Sequence, residues 1–400
     1  MVPKLRFKEF NEKWSTATMA EIYSKIRNGF VGTASPFYVS DGVKYLQGKN
    51  IKDGFLNENG LIFINSTFHQ KQSKTHLKRN DLVMVQSGHV GECAVIDDNF
   101  EGANCHAILV LTPKNKLTPS SFFKYYFYSP YGLKKIHTIK TGNTIEHILS
   151  SDLKEISVYI PNINEQNKIA DFLSSVDEKI SLLNKQYDLL CQYKKGIMQK
   201  IFSQELRFKD ENGKEFPEWH LVRLGDYLIK YNEKSTKNNQ YPVLTSSREG
   251  IYFQKDYFNG EDIASKNNIG YNVVPKGYFT YRHMSDDLVF KFNINTLCDK
   301  GIVSTLYPVF TTKLNTFFLQ LKLNEGEEFR DYAIQQKQGG SRTYMYYSKL
   351  ESLKLNIPNI VEQTKIANFI SAFDDKIAVN KAKLDKLKTW KQGLLQQMFV

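Results

Sequence analysis

Two short glycine-centred stretches, IKTGNTIEH from Ile139 to His147 and KQGGSRTYM from Lys337 to Met345, concentrate the polar chemistry of the chain. Lys140, Thr141, Asn143 and Thr144 in the first, and Gln338, Ser341, Arg342 and Tyr344 in the second, are donors and acceptors of the kind that hold phosphate oxygens or base edges. The same residue types build ordinary surface turns, so composition leaves both readings open. A further candidate is the turn at Gln86, Ser87 and His89, paired loosely with Tyr281, Arg282 and His283. Lys71, Lys74, Lys78 and Arg79 form a basic cluster suited to positioning phosphates, or simply to a solvated charged face.

Signatures of covalent or cofactor chemistry are missing from the sequence. No GxxxxGK loop followed by Ser or Thr occurs. The nearest approach to a methyltransferase Asn-Pro-Pro-aromatic box, Ser35-Pro36-Phe37-Tyr38, lacks the asparagine that would hold a target amino group. Cys105 and His106 are neighbours, and adjacent strand residues face opposite ways, so they read as core packing rather than as a nucleophile and its base. Cys93, Cys105, Cys191 and Cys298 lack any paired spacing and read as free thiols, not as a zinc module or disulfide framework. Neither a catalytic residue nor a bound metal or cofactor is expected in this chain.

Charge points the same way as the polar loops. Lys and Arg number 54 against 42 Asp and Glu, giving +12 and a pI near 9.2, which favours a polyanionic partner over an acidic substrate. Aromatics make up 13%, and aromatic-rich β cores account for most of them. No window approaches the roughly 18 unbroken apolar residues of a membrane span, and MVPKLRFKEF lacks a signal peptide's apolar core, so a cytoplasmic protein is expected.

The elements that must position these loops are set by an internal repeat. Leu153 to Ile180 recurs as Leu350 to Ile377 in strict register, and roughly twenty of fifty positions are identical when the match runs on to Phe202 and Phe399. A shorter echo opens each half, LRFKEFNEKW at Leu5 against LRFKDENGKEFPEW at Leu206. Each repeat starts with a β-branched run ended by Pro161 or Pro358, after which Asn162 or Asn359 can cap a helix.

Apolar residues then fall in alternating steps of four and three: Ile169, Leu173, Val176, Ile180, Leu183, Tyr187, Leu190, Ile197 and Ile201. The second copy has Ile366, Ile370, Phe373, Ile377, Leu384, Leu387, Leu394 and Met398, with Asn380 as a polar interruption. Each helix should run nearly forty residues, about 60 Å, and such a striped helix needs a partner stripe; the other copy, antiparallel, supplies it. Lys194 and Lys391 sit where the seam wants an apolar residue, either fixing register or snorkelling outward. Gly196 and Gly393 follow two residues on, as though a neighbour came close.

Between the helices lie blocks of roughly residues 15–150 and 220–347 that align poorly beyond their edges; both read as short strands and turns. The expected class is α+β, with two globular α/β domains separated by two long antiparallel helices forming an intramolecular coiled coil. The corresponding boundaries are 1–160, 161–203, 204–357 and 358–400.

The pattern of Pro161 or Pro358, then Glu-Gln-x-Lys-Ile-Ala, Phe172 or Phe369, Asp177 or Asp374, Lys179-Ile180 or Lys376-Ile377, and a closing Lys-x-Gly at Lys194 or Lys391 resembles the repeats of type I restriction-modification specificity subunits. The resemblance spans the chain, specific in the repeats and weak in the blocks, which sit where that family's target-recognition domains sit. It implies a non-catalytic subunit that binds double-stranded DNA. It implies two methyltransferase subunits using S-adenosylmethionine and two restriction subunits using ATP and Mg²⁺ as partners. Glu165, Gln166, Lys168 and Gln199, with Glu362, Gln363, Lys365 and Gln396, are then the interface candidates, taken as exposed positions on the helices. Two readers on one face of a duplex are spaced by about one helical turn, some 34 Å, or a multiple, so the implied target is bipartite with a fixed unread gap.

Overall fold

The computed structural model describes residues 1–115, 118–142, 146–258, 267–337 and 342–400. These fall into two compact units, Met1–Gln186 with Asn380–Val400, and Tyr187–Val379. Two helices contribute to both, Ile163–Phe202 with 40 residues and Ile360–Gln397 with 38. Their seams emerge as read from the sequence, each of the seam positions named above being buried or half-buried.

In the first unit the central sheet is antiparallel, with Tyr23–Asn28, Ile108–Pro113, Leu82–Val85 and Cys93–Val95 in that order. Its two middle strands are buried on both faces, because alternate side chains feed two different cores. Leu82, Met84, Leu109 and Leu111 join the cluster that includes the helix residues Ile169, Leu173 and Val176. Val83, Val85, Ile108 and Val110 face a second cluster built on Leu46, Ile51, Ile96 and Phe100. A second four-stranded sheet, from Asn104–Cys105 through Val43–Leu46 and Ile62–Ile64 to Tyr38–Val39, covers that side.

The second unit has its own four-stranded sheet, Leu228–Lys230, Val309–Thr312, Phe279–Thr280 and Asn293–Ile294. Its core is aromatic: Phe279 stacks on Phe310 at 4.8 Å, and Tyr281, Phe292 and Phe329 continue the cluster. Short pairs, among them Leu244–Ser246 with Ile251–Phe253 and Asn272–Pro275 with Lys300–Val303, flank the sheet.

Both units start their long helix in the same way. A strand, Ser157–Ile160 or Lys354–Ile357, pairs antiparallel with Ser15–Thr18 or His220–Arg223 and ends at the proline. The Asn162 and Asn359 side chains then accept from the Glu165 and Glu362 amides at 3.0 and 2.9 Å, as N-caps do. The echo at each head clamps this helix start. Arg6 forks onto Glu165 with two contacts of 2.7 Å, and Arg207 reaches Glu362 at 2.9 Å. Phe7 meets Phe172 edge-on at 5.7 Å, and Phe208 meets Phe369 at 5.3 Å. Trp14 and Trp219 each pack 6.1 Å from a helix phenylalanine, Phe122 or Phe318.

The helices pair antiparallel within each unit. In the first, Leu394, Leu395 and Met398 pack with Ile169, Ala170 and Leu173, while Asn380 donates to Gln186 at 2.8 Å. In the second, Ile197 and Ile201 pack with Ile366 and Ile370. The seam lysines make interhelical ion pairs, Lys391 with Asp177 and Lys194 with Asp374, each at 2.5 Å. Lysine and aspartate are both repeat residues, so one repeat supplies the cation and the other the anion at each contact; this favours the register role over simple snorkelling. A close helix approach is not what the glycines serve: among the described residues a Cβ on Gly196 would meet nothing within 4 Å, and one on Gly393 only the Gln397 amide at 3.9 Å, which leaves approach by a partner as the other expectation for these positions.

Candidate nucleic-acid interface

In the first unit the structure joins two of the candidate turns. Thr141 and His147 exchange both backbone hydrogen bonds at 2.9 Å, closing the glycine loop. Ser87 bridges to His147, the Gly88 amide donates to the Glu146 carbonyl at 3.3 Å, and Ile148 donates to the Gln86 carbonyl at 3.1 Å. Gln86, Ser87, His89, Lys140 and Thr141 therefore share one surface, with Ser87, His89 and Thr141 exposed. Lys140 is held by Glu146 at 2.7 Å. The turn is fixed from beneath at Gly91, whose φ of +95° favours glycine and whose added Cβ would sit 2.9 Å from Ile136. Asn143 and Thr144 lie outside the described residues.

Lys71, Lys74, Lys78 and Arg79 are exposed but belong to a separate segment, tied by Arg27 to the carbonyls of Lys74 and His76. Arg79 already faces Asp98 at 2.6 Å. Within this segment His69 and His76 stack at 3.8 Å, and burial, assisted by the neighbouring imidazole, lowers the His69 pKa.

The second unit builds the same frame. Met284–Ser285 pairs with Thr343–Tyr344, and the Met345 amide donates to the His283 carbonyl at 2.7 Å. The pairs Ile148 with Gln86 and Met345 with His283 keep the offset that separates Leu153 from Leu350. This corrects the loose sequence pairing: the counterpart of Gln86 is His283, that of Ser87 is Met284, and that of Val85 is Arg282.

Tyr281 is not a surface residue. Its ring lies in the core 4.6 Å from Phe292, its hydroxyl donates to the Met345 carbonyl at 2.9 Å, and burial pushes its phenol pKa up. Arg282 is exposed, and Arg342 is exposed and paired with Asp286 at 2.9 Å. Gln338 and Ser341 lie outside the described residues. His283, Tyr344 and Tyr346 form a ledge of near-parallel rings, Tyr344 to Tyr346 at 5.6 Å and His283 to Tyr346 at 5.3 Å. Tyr346 was missed in sequence, although its spacing of two from Tyr344 in an extended run places both on one face.

Four of the helix candidates are likewise buried. Glu165 and Glu362 are fully buried under their arginines, and Gln166 and Gln363 are buried with their amides donating to the Pro161 and Pro358 carbonyls at 2.9 Å. Each charge or amide found its partner at the helix start, which removes the need for solvent. Lys168, Gln199 and Gln396 are exposed; Lys365 is half-buried and donates to the Lys209 carbonyl at 2.8 Å.

Comparison with known proteins accounts for this doubled frame. The family model described as type I restriction modification DNA specificity domain matches twice, over residues 11–191 and 218–389. A putative type I restriction enzyme MjaX specificity subunit of Methanocaldococcus jannaschii is 24% identical, with 98% of this chain and 94% of that protein covered. The StySPI specificity subunit of Salmonella potsdam is 22% identical, with 97% and 89% covered. A crystal structure of a type I restriction-modification S subunit from M. genitalium shares the fold at a TM-score of 0.61 and 17% identity, covering 100% of this chain and 99% of that one. The chain therefore belongs to the family of type I restriction-modification specificity subunits and carries its DNA specificity domain twice.

Proposed function

We propose that this chain reads a bipartite sequence in double-stranded DNA, one half through each unit, for a type I restriction-modification complex. The observation that carries the reading is the frame built twice with different side chains: Gln86, Ser87 and Thr141 in one unit, and Arg282, His283 and Tyr344 in the other. A shared backbone with divergent exposed groups is what two readers of different base sequences require. The net charge of +12 supplies the attraction to phosphates that binding of either half needs.

Catalysis in this reading belongs to partners: two methyltransferase subunits that bind S-adenosylmethionine, and two restriction subunits that use ATP and Mg²⁺. Lys168, Gln199 and Gln396, exposed on the long helices, are candidate contacts for the methyltransferase subunits, with Lys365 at the edge of that surface. The work is placed in the cytoplasm, where the host DNA is. Among the described residues no helix is long and apolar enough to cross a membrane.

Co-expression with the methyltransferase subunit provides the test. The complex should methylate adenine within a two-part motif of fixed gap, and the purified chain alone should transfer no methyl group. Methylation by the isolated chain, or methylation by the complex without sequence preference, would overturn the reading.

A further inference from the structure

We propose, building on the DNA-recognition reading, that Arg282 reads a guanine in the half-site assigned to the Tyr187–Val379 unit. The neighbours of Arg282 are both anchored to one buried residue. Tyr281 donates its hydroxyl to the Met345 carbonyl at 2.9 Å, and the His283 carbonyl accepts from the Met345 amide at 2.7 Å. With the Tyr281 ring locked in the core, the Arg282 backbone is held on both sides while its side chain is exposed. A reader needs such a base, because a guanidinium on a mobile loop loses its aim.

Arg282 lines a cavity of about 350 Å³ with Thr245, Ser246, Ser247, Met284 and Tyr307. Two other cations border the same cavity, and both are already matched. Arg248 forks onto Asp287 with contacts of 2.7 and 2.8 Å, and Lys291 pairs with Glu325 at 3.0 Å. Among the described residues Arg282 has no carboxylate or hydrogen-bond partner. Its planar fork of donors fits the two major-groove acceptors of guanine, O6 and N7, whereas adenine presents a donor in place of O6.

The other unit strengthens the assignment. At the position equivalent to Arg282 the first unit has Val85, which is 3% exposed and belongs to a core cluster. A phosphate contact useful to any duplex has no reason to be confined to one reader, whereas a base contact does.

The test uses the full chain assembled with its methyltransferase subunits, and duplexes in which each position of the two half-sites is varied in turn. Exchange of residues 220–347 identifies the half-site in question. Wild-type complex should prefer G·C at one position there. Arg282→Ala should reduce that single preference roughly 10- to 100-fold, the span expected for one bidentate pair, and leave the remaining positions unchanged. Arg282→Lys should keep the charge and the salt dependence of binding without restoring the preference.

Three results overturn the assignment: no G·C preference in that half-site, preferences unaltered by Arg282→Ala, or an equal loss on all sequences with a shallower salt dependence. The last would make Arg282 a phosphate contact. Wild-type methylation without any two-part motif would instead overturn the DNA-recognition reading itself. Melting curves of both variants should match wild type, since the side chain is exposed and makes no hydrogen bond or ion pair among the described residues.

Discussion

At the scale of single residues, the strongest commitments are buried charges whose partners lie far away in sequence. Glu165 is fully buried beneath Arg6, a residue 159 positions earlier. Arg6→Ala would leave that carboxylate unpaired, and we expect a loss of about 2 to 3 kcal/mol, below the full cost of a deeply buried pair because Arg6 retains some solvent contact. Thermal melting checks this, with Arg6→Met combined with Glu165→Leu expected to lose less than Arg6→Ala alone; a larger loss in the double variant would contradict it. Burial of His69, with His76 stacked beside it, gives a pH dependence whose sign follows from the direction of its shift. The His69 pKa is lowered in the fold, so the unfolded chain takes up its proton first as pH falls. The stabilisation is present above the ordinary imidazole value of about 6.5 and fades below it. Melting temperature should therefore fall less between pH 7 and 5 in His69→Phe than in wild type. Residue type was legible in the sequence and burial was not. Glu165, Gln166 and Tyr281 are polar and read as surface, yet each is satisfied by a partner, Arg6, Pro161 or Met345, that only the fold brings near.

Among the elements, the long helices were the most legible part of the chain. A seam of period 3.5, an Asn after a Pro, and a second copy in register specify start, face and partner from local sequence. What spacing left open was the facing residue at Lys194 and Lys391, because the opposing aspartate is contributed by the other repeat. The two ion pairs differ in setting. Asp177 is 5% exposed and also accepts from the Tyr125 hydroxyl at 2.8 Å, with Lys124 3.7 Å away; burial already lowers the pKa of that lysine. Asp374 is 43% exposed. Asp177→Ala should therefore cost about 3 kcal/mol and Asp374→Ala under about 1 kcal/mol, as measured by denaturant unfolding. Equal losses would contradict the distinction. Gly196→Ala and Gly393→Ala, with open space over both positions, should each stabilise the isolated chain by about 0.5 to 1 kcal/mol. The sheets were far less legible. Ile108–Pro113 lies between Tyr23–Asn28 and Leu82–Val85, pairings between distant segments that alternation of apolar residues does not specify.

For the whole molecule, the repeat means one architecture written twice, with the differences confined to the blocks that the frame displays. Inserting a heptad into both long helices, so that each seam keeps its register, should lengthen the unread gap of the target and leave both half-sites intact. Methylome sequencing of a strain expressing the lengthened chain checks this; altered half-sites would mean that the helices also read bases. The most direct test of the central claim uses the same readout on a chimera in which residues 15–150 are replaced by the corresponding block of another family member. Two independent readers predict a motif in which one half is new and the other half is that of the wild type. A motif changed in both halves would contradict the account.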